Sequence, residues 1–214
     1  RLYAPGHLRP PEKQANKTAS TALFSSLFVG IISIVAVMCF LDKILTGLGA
    51  TETILPYARE YAFIYIAGSI FNIFSITMNN IVTAEGSAKL AMLSMLLGAG
   101  LNVILDPIFI YPMGMGVSGA AIATVISQAA TSVIYICYIL RKKSLLNFSF
   151  RNFSFDRTIY GQIFKVGIPT LIFQLLTSIA ISLINTSAST YGDSAVAAMG
   201  IVTRIMSIGT FVVF

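Results

Sequence analysis

Charge is what this sequence has least of. Its 14 basic and 8 acidic residues make up 10% of 214, against 56% hydrophobic residues and a mean hydropathy of +0.84. A water-soluble domain carries about 25% charged residues, so a soluble globular fold is excluded. Intrinsic disorder, which needs low hydrophobicity and high net charge, is excluded with it. Lipid is the solvent this composition calls for. Cysteine is nearly missing as well: Cys39 and Cys137 make no disulfide framework and lack metal-ligand spacing. They read as small apolar residues. Histidine occurs once, as His7 in the polar N-terminal stretch. That removes histidine metal sites and histidine-based triads, and zinc and serine-hydrolase chemistry with them. No initiator Met or signal peptide precedes Arg1, and no charged stop follows the last apolar run, so the sequence reads as a piece of a longer protein.

What is abundant is apolar sequence in lengths near the ~20 residues that cross a bilayer. Such runs span Thr21–Leu41, Tyr61–Val82, Leu90–Tyr111, Val117–Leu140 and Ile163–Ala188, and a sixth starts at Ala195. The predicted fold class is an all-α polytopic membrane protein. The basic residues fix an orientation. The N-terminal stretch, the loop 84–89 and the loop 141–162 with Lys165 just beyond it carry eleven Lys and Arg, whereas the opposite side holds only Lys43 and Arg59. The positive-inside bias therefore predicts a cytoplasmic N-terminus and a tight outer turn at 112–116. Those basic loops face anionic headgroups, and no aromatic-studded basic patch accompanies them, so nucleic acid is not an expected partner. The predicted divisions are a cytoplasmic loop over 1–20, four helices over 21–140, a cytoplasmic connector over 141–162 and the start of a second bundle over 163–214. Phe148, Phe150, Phe153 and Phe155 alternate with polar residues in that connector, which reads as an amphipathic surface segment.

Ionisable groups inside spans are costly and ask for a reason. Asp106 is the clearest: it lies about 7.5 Å below the outer end of its helix at 1.5 Å per residue. Pro107 follows it, removing one N–H and freeing the Val103 carbonyl. Asn102 is one turn back on the same face, and the short turn at 112–116 makes the next helix an antiparallel neighbour. Thr124 on that neighbour is then about 10.5 Å deep, so Asn102, Asp106 and Thr124 are predicted to share one pocket. A carboxylate there, desolvated but hydrogen-bonded, is placed to take a cation from outside. Alternatively Asp106 only caps the backbone freed at the proline kink. Arg204 lies roughly 13.5 Å into the last span, with no identifiable partner. Asn72, Ser75 and Asn79, with Asn80 alongside, form a polar stripe that lines a cavity or bonds helix to helix. Gln128, Gln174, Thr177 and Asn185 are weaker signals of the same kind. The small residues of 116–123 read as close helix packing, and Glu85 with Lys89 as a solvated ion pair.

At these same residues the sequence resembles the multidrug and toxic compound extrusion (MATE) transporters. The resemblance runs from Asn79-Asn80-Ile81-Val82-Thr83-Ala84-Glu85-Gly86 through Leu101-Asn102-Val103-Ile104-Leu105-Asp106-Pro107-Ile108-Phe109 and Gly114-Met115-Gly116-Val117-Ser118-Gly119-Ala120-Ala121-Ile122-Ala123-Thr124 to Gly167-Ile168-Pro169. It implies a transporter of two six-helix lobes, of which this chain is a helical bundle fragment: helices three to six of the N-lobe, then helix seven and a truncated eight of the C-lobe. It also implies a cation-coupling site at Asn102, Asp106 and Thr124, and a cavity-lining role for Asn79. Two positions depart from the family pattern. Thr83 stands where many relatives carry Arg, and Thr177 where one branch carries an essential Glu, which moves the weight of coupling to Asp106. Residues 1–20 match the family loop poorly.

The function expected is secondary active multidrug efflux: an antiporter exporting organic, cationic compounds in exchange for H+ or Na+, monomeric, multi-pass in the cytoplasmic membrane. Asn79, Asn72, Ser75 and Arg204 are the expected substrate-cavity residues, Pro107 the helix kink, and small organic compounds and the bilayer the partners. No cofactor or bound metal beyond the coupling ion is expected, and no enzymatic activity: an intramembrane aspartyl protease needs two carboxylates, and only Asp106 is clearly within a span. The rival readings are a flippase for lipid-linked precursors and a non-transporting membrane scaffold.

Overall fold

The computed structural model describes residues 10–48, 50–141, 144, 146, 148, 152–192 and 194–203. Its elements are α1 (Pro10–Cys39), α2 (Leu41–Gly47), α3 (Leu55–Ala84), α4 (Ala88–Ile110), α5 (Gly116–Leu140) and α6 (Arg157–Ser189), followed by a shorter apolar helix, Ser194–Thr203. Five of these helices are long and apolar enough to cross a membrane, and the chain is an all-α, multi-pass membrane protein. Boundaries follow local chemistry. Pro56 sits in the first turn of α3, where its missing N–H costs nothing. Asp156 caps α6 by accepting from the Thr158 backbone N–H at 2.9 Å. Gly114 and Gly116, with φ of +63° and +56°, supply the left-handed turn between α4 and α5.

The solvent exchange is written in the side chains. Buried positions hold Ser20, Thr21, Ser75, Ser94, Ser127 and Thr131, while Val103 (71% exposed), Leu140 and Phe28 lie on the outside. Polar groups inside and apolar groups outside is the arrangement expected where lipid replaces water and helices associate through small and hydroxylated residues. α5 packs against both α3 and α4, and α1 against α3. The approach is close where glycine allows it: a Cβ on Gly119 would stand 2.9 Å from the backbone of Phe109, and one on Gly68 would collide with Val125. The stretch 116–123 is thus packing, with Ser118, Gly119, Ala121 and Ala123 buried. An apolar core of Leu23, Met78, Val82, Ala91, Tyr135 and Tyr138 fills one end of the bundle. α6 stands largely outside it, with Ile159 and Ala188 its buried residues.

Three sequence expectations change. Helix α1 begins at Pro10, so 10–20 are helical rather than loop, and Asn16 and Ser20 are buried. Helix α6 begins at Arg157, which shortens the connector. The described connector residues are tied to the bundle. The Ser154 N–H donates to Thr21 Oγ1 at 3.2 Å, Tyr160 OH and Ser25 Oγ pair at 2.7 Å, Phe148 packs on the core, and Phe155 stacks on Tyr160. Phe150 and Arg204 lie outside the described residues. Finally, Glu85 does not turn to Lys89. Its carboxylate accepts from Tyr138 OH at 3.1 Å and from Ser144 Oγ, and Lys89 is exposed.

Candidate functional site

The site is built where α3, α4 and α5 diverge above the apolar core. Between residues 72–80, 95–102 and 124–135 lies a cavity of about 420 Å³. Its floor is Tyr135, fully buried, whose hydroxyl accepts from Asn79 Nδ2 at 2.9 Å; the same amide reaches the Ala91 carbonyl at 3.4 Å. These bonds join α3 to α5 and α4. One wall is held by Ser75, whose hydroxyl pairs with Ser132 Oγ at 2.9 Å, while Ser132 also reaches the Phe71 carbonyl at 3.0 Å. Asn72, Ser75, Asn79 and Asn80 all line the cavity, so the polar stripe of α3 faces one space. Gln128, the weak signal on α5, faces the same space.

At the other end, Asn102 Nδ2 donates to Asp106 Oδ1 at 3.2 Å and to Thr124 Oγ1 at 3.3 Å. The Thr124 hydroxyl has its own proton on the Ala120 carbonyl at 2.9 Å, so its oxygen is free to accept. The spacing explains the geometry. Asn102 and Asp106 share a helical face four residues apart, and the tight α4–α5 turn brings Thr124 alongside. All three are half-buried. Asn102 and Thr124 border the cavity while Asp106 sits one step behind them. The Asn102 side-chain carbonyl, the Thr124 hydroxyl and the Asp106 carboxylate are oxygen groups of the kind that bind a small hard cation, and the carboxylate can accept a proton. α4 runs as one helix through Pro107.

Gln174 and Thr177 are not drawn into this site. They are exposed on α6, and the Thr177 hydroxyl bonds its own helix at Phe173. Tyr135 was missed from sequence. A tyrosine inside a span, five residues before the end of α5, was the available signal, since such a hydroxyl needs a partner when buried.

Comparison with known proteins agrees with the geometry. The sequence profile of the MatE family matches residues 11–108, so the matched stretch takes in half of the first twenty residues, which sequence reading had set aside. The multidrug export protein MepA of Staphylococcus haemolyticus (strain JCSC1435) is 32% identical over 193 residues, covering 90% of this chain and 43% of that protein. MepA of Staphylococcus aureus (strain MSSA476) is 28% identical, over 88% and 42%. The chain therefore spans less than half the length of these curated relatives. Among solved structures, the inward-facing conformation of a multidrug resistance MATE family transporter of the MOP superfamily superposes with a TM-score of 0.82 at 34% identity, over 92% of this chain and 50% of that one. A MOP superfamily transporter from Pyrococcus furiosus, described as having a binding pocket of reverse polarity that suggests a different function, gives 0.79 at 35% identity, over 93% and 45%. Sequence, fold and the run of motif residues agree, and the chain belongs to the multidrug and toxic compound extrusion family.

Proposed function

We propose that this chain is part of a secondary active multidrug efflux antiporter in the cytoplasmic membrane and carries the cation-coupling site of its N-lobe, its N-terminus on the cytoplasmic side. The transported compounds are small, organic and cationic, and the exchanged ion is H+ or Na+. One observation carries the reading: Asn102 bridges Asp106 and Thr124 at the edge of a cavity large enough for a small organic molecule. An ion arriving at Asp106 competes with the Asn102 amide for Oδ1. Asn102 then loosens its hold on Thr124, α4 and α5 lose a link at the cavity edge near Pro107, and the cavity contracts and releases its cargo. Differential affinity of the ion for the open and contracted states supplies the bias, and rocking of the two lobes completes alternating access. MepA relatives, named for multidrug export, support this reading over the flippase.

The test is dye efflux from cells or proteoliposomes under an imposed proton or sodium gradient, comparing wild type with Asp106→Asn. Gradient-driven efflux lost in the variant at equal expression supports antiport. Undiminished efflux reduces Asp106 to a helix-kink residue, and absence of efflux from both proteins favours the flippase or scaffold. The ion whose gradient drives wild-type efflux is the coupling ion.

A further inference from the structure

The polar groups that face the cavity are not equally committed. Asn79 spends its amide on Tyr135 and Ala91, and Asn102 spends its own on Asp106 and Thr124. The hydroxyls of α5 turn back onto their own helix: Ser127 to the Ala123 carbonyl at 2.8 Å, Thr131 to Ser127 at 3.0 Å, Ser132 to Gln128 at 3.0 Å. Gln128 differs. Its side-chain Oε1 is buried and has no hydrogen-bond partner among the described residues, although the residue lines the cavity. Buried acceptors in folded proteins nearly always have a partner, and one left without it carries a desolvation cost that a ligand donor recovers.

What that oxygen lacks is a donor, and its position says what kind. Gln128 lies one turn from Thr124 on the same face of α5, next to the link that leads through Asn102 to the Asp106 carboxylate. A positively charged donor gains from that carboxylate as well as from the hydrogen bond, and charge-assisted bonds are the stronger ones. The last torsion of glutamine is broad and roughly two-fold, so the amide turns its carbonyl toward a ligand without a change of rotamer. Of the rest of the wall, Ile76, Met95 and Ala99 pack against apolar rings without distinguishing one cation from another, and the amides of Asn72 and Asn80 line the α3 side. We propose that Gln128 is a specificity-determining residue: its Oε1 accepts a hydrogen bond from an N–H of the cargo, so the cavity prefers organic cations with a protonated amine to quaternary cations of the same size and shape.

This rests on the cavity being the substrate site, and the experiment separates the two. A fluorescent amphiphile with a protonated secondary amine and its dimethylated quaternary analogue are titrated onto the detergent-purified full chain by fluorescence polarisation. Gln128→Leu and the near-isosteric Gln128→Met are each expected to weaken the amine about tenfold or more and to leave the quaternary analogue within about twofold. Both probes weakened alike, or neither weakened, overturns the proposal. Ala99→Phe, which places a ring in the cavity from an exposed, cavity-lining position of α4, is the control. If it abolishes binding of both probes while the Gln128 variants change nothing, the cavity stands and the role of Gln128 falls. If Ala99→Phe leaves both affinities intact, the cavity reading falls and this one with it.

Discussion

Glycine at the α4–α5 seam gives a graded test of how this bundle is held. A Cβ built on Gly119 lies 2.9 Å from the carbonyl carbon and oxygen of Phe109, whereas ordinary contact begins at 3.4 Å. Phe109 lies in the last turn of α4, and its backbone cannot swing aside as a flexible side chain can, so Gly119→Ala must open the seam by about 0.5 Å. Overpacking of that kind costs about 1–3 kcal/mol, which for a chain of this size lowers the melting midpoint by roughly 3–10 °C. The strain also reaches the site. Thr124 is five residues along α5, about 7.5 Å away, and its 3.3 Å link to Asn102 would stretch to about 3.8 Å, past hydrogen-bond length. Gly68→Ala meets both γ-methyls and the Cβ of Val125, a β-branched side chain held to one rotamer in a helix, and should destabilise as well. Gly100 has open space around it, so Gly100→Ala should be neutral or stabilising by up to about 1 kcal/mol through helix propensity. Thermal unfolding of the detergent-solubilised chain, followed by circular dichroism, ranks the three. A Gly119→Ala midpoint within about 1 °C of wild type, or no lower than that of Gly100→Ala, would refute the claim that backbone contact sets the seam.

Two further substitutions probe the ends of the bundle. Tyr135→Phe removes the acceptor of Asn79 Nδ2 and leaves that amide only its 3.4 Å contact to Ala91; the expected loss is about 1 kcal/mol, read as a lower melting midpoint with the fold retained. Glu85→Ala takes away the carboxylate that binds Tyr138 and Ser144 together, so limited proteolysis should cut between residues 141 and 156 faster than in wild type while the helices stay intact by circular dichroism.

The cluster of Asn102, Asp106 and Thr124 was legible in the sequence because each step to it is local. A carboxylate beside a proline in an apolar run is conspicuous, an amide four residues back shares its face, and a turn of a few residues leaves the next helix no choice but to lie alongside. The bond of Asn79 to Tyr135 was not legible for the opposite reason: it joins α3 to α5 across 56 positions, and no periodicity registers two helices against each other. The start of α1 was missed because Glu12, Lys13, Gln14, Asn16 and Lys17 read as a loop. Composition reports the solvent a segment prefers, whereas the backbone can continue a helix through polar residues into the headgroup region. Likewise, Glu85 with Lys89 satisfied a helical spacing rule, but the hydroxyls of Tyr138 and Ser144 arrive from distant sequence and take the carboxylate first.

These contacts also say which part of the site can move. α5 touches its neighbours through Gly119 against backbone, through Val125 over Gly68, and through Thr131 over Gly98, and its cavity hydroxyls are bonded to its own carbonyls. Such a helix has few alternative arrangements, since the hydroxyls of Thr124, Ser127, Thr131 and Ser132 are already held by its own backbone, while Gln128 Oε1 is a cavity-side acceptor without a partner among the described residues. α4 is different beyond Asn102: Val103, Ile104 and Ile108 face lipid, and Pro107 supplies no N–H to the ladder. Lipid repacks around a moving side chain far more cheaply than a close-packed helix does. The stretch of α4 from Asn102 to Asp106, ahead of the Phe109 contact with Gly119, is therefore the compliant element and α5 the wall it moves against, which places Gln128 on the fixed side of the cavity, where a recognition group keeps its geometry as the carboxylate across from it changes partners.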